Sequence, residues 1–75
     1  MFENSPHKDY RYAIDRDGQH RLCCAIEDRR TRSIVATFVE TRLEYHVPAT
    51  PDVIAAVSEA AQPFMDRLQH EGITA

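Results

Sequence analysis

Apolar and polar positions alternate from Asp9 onward. Tyr10, Tyr12 and Ile14 share one parity, and Arg11, Ala13 and Asp15 take the other. Period-two alternation of this kind predicts a strand with one buried face. The segment "DRDG" then supplies turn residues, with Gly18 free to adopt a positive φ. Leu22, Cys24 and Ile26 form the apolar parity of a second strand, while Arg21, Cys23, Ala25 and Glu27 form a half-polar one. "EDRRTR" makes the next turn, and its lack of glycine predicts a loop longer than two residues.

The run "SIVATFVETRLEYHV" is rich in β-branched and aromatic residues, but its parity is ambiguous. Ile34, Ala36 and Phe38 are apolar on the even side; Val35, Val39, Leu43, Tyr45 and Val47 are apolar on the odd side. Residues 33–47 form one long strand with both faces partly covered, or two strands separated by a bulge or turn near Glu40 to Arg42. The period changes after Pro48. Thr50 suits an N-cap, Pro51 the first helical position, and Asp52 the positive end of the helix dipole. Val53, Val57, Ala60, Ala61, Phe64 and Leu68 recur at helical spacing, Asp52, Glu59, Asp66 and Gln69 take the wet side, and Gly72 marks the stop. Pro63 lacks the N–H that would reach the Glu59 carbonyl, so the helix kinks there or breaks into two short pieces, and the kink is the favoured expectation. The expected fold is α+β in the order β-β-β(-β)-α: an antiparallel sheet of three or four strands with one Pro-kinked helix on one face. Residues 1–8 read as a loose lead-in, 9–72 as one domain and 73–75 as a short tail.

Composition narrows the class. At 75 residues the chain buries roughly two-thirds of its extended surface, which leaves a monomer marginally stable. Hydrophobic residues make up 43% and charged residues 28%, too apolar for a disordered chain. The net charge of −3 argues against general attachment to nucleic acid or anionic lipid. Lys8 is the one lysine among nine basic residues, a bias toward arginine that suits ion pairs and interfaces and that GC-rich coding also produces. No apolar run approaches the roughly 20 residues of a membrane span. "MFENSPHKDY" has neither the basic nor the apolar region of a signal peptide. A cytoplasmic location with reduced cysteines is the expectation.

Candidate chemistry centres on "CCAIEDRRTRSIV", residues 23 to 35. His20, Cys23 and Cys24 lie close in sequence, yet at about 3.3 Å per strand residue His20 and Cys24 stand about 13 Å apart, with Cys23 on the opposite face. A zinc site needs its ligands on one centre, so no metal is expected. Adjacent strand cysteines also lack the C-x-x-C or helix-terminal setting of a redox dithiol. Ser58 lies twelve residues from His70, Ser33 begins a strand, Ser5 is in the lead-in, and His46 beside Glu44 and Tyr45 is the best remaining catalytic constellation. With Gly18 and Gly72 the sole glycines, there is no phosphate-binding loop. The expectation is a non-enzyme without cofactor, metal, membrane partner or small-molecule substrate.

Two binding readings follow. Arg11 and Arg21 on the sheet, with Arg29, Arg30 and Arg32 at a hairpin tip, would suit nucleic acid. Against that, residues 1–47 hold eight basic and eight acidic side chains, and the tyrosines share the helix-facing parity. The second sheet face offers Ala13, Cys23, Ala25 and either Ile34, Ala36 and Phe38 or Val35 and Val39, an apolar patch rimmed by arginines. The favoured expectation is a small protein-binding regulator or inhibitor, alone or as a homodimer, that occupies a surface of a larger assembly. Its contact residues would be Arg11, Arg21, Arg29, Arg30, Arg32, Ala25 and Phe38. Phage- and mobile-element-encoded accessory proteins are the analogy of type. The nucleic-acid module is the alternative.

Overall fold

A computed structural model describes residues 1–73. Five antiparallel strands lie side by side in chain order: β1 (Glu3–Asn4), β2 (Tyr10–Arg16), β3 (Leu22–Asp28), β4 (Ser33–Val39) and β5 (Arg42–Tyr45). Two helices follow, α1 (Pro51–Ala60) and α2 (Gln62–His70). The α+β class and the antiparallel sheet agree with the sequence pattern. The strand count and the single helix do not.

Three local features settle the sheet: an added edge strand, the turn that divides residues 33–47 in two as one of the expected alternatives had it, and a bulge. The stretch read as a lead-in adds a two-residue edge strand, Glu3 and Asn4 pairing with Tyr12 and Arg11. Ser5 turns the chain back toward β2, its hydroxyl donating to the carbonyls of His7 and Tyr10. At the other side, Glu40 takes a φ of 55° and with Thr41 makes a tight turn, splitting the run 33–47 into β4 and β5. The third is a bulge. Ile26 pairs with Ala36 but Glu27 pairs with Ile34, so Val35 is the extra residue. One inserted residue reverses the parity, placing Ile34 on the same face as Thr37 and Val39, and Ala36 and Phe38 on the helix side. This mixed periodicity is what the sequence displayed without resolving.

The helical segment breaks rather than kinks. Ala61, with φ −85° and ψ 0°, both caps α1 and precedes α2, and N–H groups at the cap reach the carbonyls of Val57 and Glu59. The Glu59 carbonyl that Pro63 cannot serve is thereby satisfied, and Pro63 sits harmlessly near the start of α2. Thr50 caps α1 as its position predicts, its Oγ1 accepting from Val53 N–H at 3.2 Å. Gly72 ends α2 with a φ of 77°. In the first hairpin the positive φ falls on His20 (64°), not on Gly18. Asp17 organises that turn by accepting from the N–H groups of Gln19 and Arg21, and the left-handed residue closes it.

The core lies between the helices and one sheet face. Tyr10, Leu22, Cys24, Ile26, Val35, Ala36 and Phe38 from the sheet meet Ala56, Val57, Ala60, Ala61, Phe64 and Leu68. Phe64 is wholly buried, with its ring 5.4 Å from that of Phe38. Ile73 packs against this cluster although it begins the expected tail, whose residues 74 and 75 lie outside the described residues. At the far end of α2, Glu71 accepts two bonds from Arg16 Nη2 (2.8 and 2.9 Å) and one from Arg67 Nε (2.7 Å), fastening the helix to β2.

Acid should loosen this framework. Arg30 hydrogen-bonds the Asp28 carboxylate, Arg16 and Arg67 that of Glu71, and the backbone N–H of Arg21 that of Asp17; each carboxyl is held below its ordinary range. A depressed native pKa favours the ionised fold, so its stabilisation is complete above about pH 4 and disappears as pH falls through the native values. Thermal melts should give a flat midpoint from neutrality down to about pH 5 and a falling one below pH 4. Arg30→Ala should flatten part of that fall. An acid midpoint equal to the neutral one would contradict the assignment.

Candidate functional site: the outer sheet face

The sheet's second face carries no helix. Cross-strand register places Ala13, Ala25, Thr37 and Glu44 in one row, and Asp15, Cys23, Val39 and Arg42 in the next. Ala13, Cys23, Ala25, Thr37 and Val39 are half-buried, and between them lies a shallow trough of about 330 Å³. The side chains are small, so the backbone is near the surface and an opposing group can approach closely. Sheets exposed to water on one face ordinarily alternate to polar residues there. This one does not.

One end of the trough is closed by an ion pair. Arg11 donates through Nε and Nη2 to Glu27 Oε1, at 2.9 Å from Nε, and its guanidinium lies 5.9 Å from the centroid of the Phe2 ring. Glu27 is 6% exposed, which makes this the most enclosed ion pair among the described residues. Ile34 stands beside it, 37% exposed. Toward the other strand edge, Thr37 Oγ1 and His46 Nε2 share a hydrogen bond at 2.9 Å. The exposed His46 ring is thus occupied by a hydroxyl of the outer face rather than by a carboxylate.

The expected contact residues separate into four groups. Ala25 lies at the centre of the trough. Arg11 borders it but is committed to Glu27. Arg21 and Arg30 are likewise held, by Asp17 at 2.7 Å and Asp28 at 3.3 Å. Arg29 gives one N–H to the Lys8 carbonyl at 3.3 Å, and Arg32 adopts a φ of 60° at the hairpin tip. Neither makes an ion pair among the described residues. Phe38 departs from the expected placement: past the bulge at Val35 it pairs with Cys24, and at 4% exposure its side chain belongs to the helix-side core, although the residue also borders the trough. The tyrosines stand on the helix-side parity, where Tyr12, Tyr45 and buried Tyr10 join the core. Sequence reasoning missed Asp28, whose carboxylate accepts from the Arg30 N–H and guanidinium and so shapes the tip. Its proximity to Arg30 in sequence was the available signal.

No family model, curated protein or solved structure matches the chain. Among the described residues, no group of three or more His, Cys, Asp or Glu side chains is placed to hold a metal, and no helix is long and apolar enough to cross a membrane.

The cysteines differ in accessibility. Burial pushes the Cys24 thiol up to about 12, and burial followed by the charge of Asp17 raises Cys23 above its ordinary value. A thiolate is the reactive form, so both should resist alkylation in the native state at about pH 8. Mass spectrometry after brief iodoacetamide treatment should find Cys23 labelled slowly, Cys24 unlabelled, and both labelled in urea. Rapid native labelling of Cys24 would mean that the β2–β3 region opens readily.

Proposed function

We propose that this chain is a small non-enzymatic protein-binding module whose outer sheet face occupies a surface of a larger protein, with regulation or inhibition of that protein as the consequence. The observation that carries the reading is the trough of Ala13, Cys23, Ala25, Thr37 and Val39 on a face left free of helices. Water gains nothing from such a face. A protein segment laid on it removes apolar surface at about 25 cal/mol per Å² and meets few long side chains that must be ordered. The acidic neighbours of Arg11, Arg21 and Arg30 support this reading over the nucleic-acid alternative, since three of its five arginines are already neutralised.

The two readings respond oppositely to the same pair of variants. Ala25→Asp puts a charge in the centre of the trough; Arg29→Glu combined with Arg32→Glu reverses the free charge at the hairpin tip. Captured partners should be retained at about 0.3 M salt, lost with Ala25→Asp and kept with the tip variant. Retention of nucleic acid that is lost with salt and with the tip variant, but not with Ala25→Asp, would overturn the proposal.

A further inference from the structure

The geometry points to a second copy of this chain as the occupant of the β5 edge, joined by antiparallel pairing of β5 with β5 about a two-fold axis through Leu43. This contact is separate from the outer-face reading and stands without it.

β5 is the last strand of the sheet, and one side of its backbone is open. His46 N–H bonds to the Val35 carbonyl at 2.9 Å, so the backbone groups of His46 face β4. Alternation assigns Glu44 and Arg42 the same direction, leaving the N–H and C=O of Leu43 and Tyr45 pointing outward. An antiparallel pair centred on Leu43 lets the two Leu43 residues exchange both hydrogen bonds.

Side chains select this register. Arg42 and Glu44 are both exposed on the outer face, two residues apart, and neither has an ionic partner among the described residues. With the axis through Leu43, each Arg42 stands directly opposite the second copy's Glu44, giving two reciprocal ion pairs. Centring on Glu44 would oppose it to its own copy. On the helix side, Leu43 (38% exposed) and Ile54 (46%) are two of the exposed large hydrophobic residues. They border an apolar groove of about 290 Å³ that Tyr45, Val57 and Met65 also line. Pairing at Leu43 sets the second copy's Leu43 against this groove and covers apolar surface that otherwise meets water. The product is a ten-stranded sheet with both outer faces on one side.

The contact is short, so the expected dissociation constant is on the order of 10–100 μM. Sedimentation equilibrium from about 1 μM to about 1 mM covers that range. Arg42→Glu and Glu44→Arg should each weaken the dimer about tenfold, because every reversal places like charges opposite one another twice. The exchange carrying both substitutions should restore affinity to within about threefold. Circular dichroism should show all three variants folded, since the altered side chains are exposed. A monomer throughout the range would overturn the inference. So would a dimer indifferent to both single reversals, or one dissolved by Ala25→Asp instead, which would place the copy on the outer face.

Discussion

Phe64→Ala is expected to bring the chain to the edge of unfolding. Its side chain is wholly buried where α2 meets Phe38 at the centre of the core. Truncating a buried phenylalanine costs about 3–5 kcal/mol in lost transfer energy and residual cavity. At 75 residues the whole stability is roughly 4–11 kcal/mol, so the loss takes about a quarter of it at least. Urea titration should show a large drop in midpoint, and Phe64→Leu, which retains most of the volume, should lose less than half as much. An unchanged midpoint in the alanine variant would mean that α2 does not cover the sheet in solution.

Arg11→Ala is the second large effect, and its cause is electrostatic. The substitution leaves the Glu27 carboxylate, 6% exposed, without its guanidinium. Breaking a buried ion pair from one side costs about 3–5 kcal/mol, and because the Arg11 side chain is 28% exposed and water can reach the vacancy, about 2–3 kcal/mol is expected here. The pair spans β2 and β3 as directly opposed residues, so hydrogen exchange should accelerate first at that end of the hairpin. Replacing both members, with Arg11→Met and Glu27→Leu, should recover most of the loss. If the double variant is as unstable as the single one, the destabilisation comes from lost arginine packing, on Phe2 in particular, and not from a stranded charge.

These residues show where the sequence was informative. Strong local chemistry was readable: the alternation of Tyr10, Tyr12 and Ile14, the capping role of Thr50, and the apolar helical positions ending in Leu68 all appear where expected. What escaped depends on single-residue backbone events. A bulge at Val35 has no composition of its own, yet it decides which of Ile34 and Phe38 faces outward. The break at Ala61 and the left-handed φ at His20 are likewise choices between near-equal local conformations, settled by packing and by the Asp17 carboxylate. β1 is too short to display a period. For the candidate site, Ala13, Cys23 and Ala25 were legible from parity alone. The commitment of Arg11 to Glu27, sixteen residues away, required the β2–β3 register.

The strand order carries a kinetic consequence. Every strand pairs with its immediate neighbours in sequence, and the β2–β3 and β3–β4 connections are short. Little loop-closure entropy is spent before each ladder starts to form, and hairpins of this kind arise in about 1–10 μs. Docking of the helices is the step that brings distant parts of the chain together, as Arg16 meets Glu71 across 55 positions. Where the hairpins form the folding nucleus and the helices dock after it, damage to the sheet slows folding, whereas damage to the helix face chiefly hastens escape from the native state. The lifetime of the folded chain is then set by α1 and α2, and its speed of formation by the sheet beneath them.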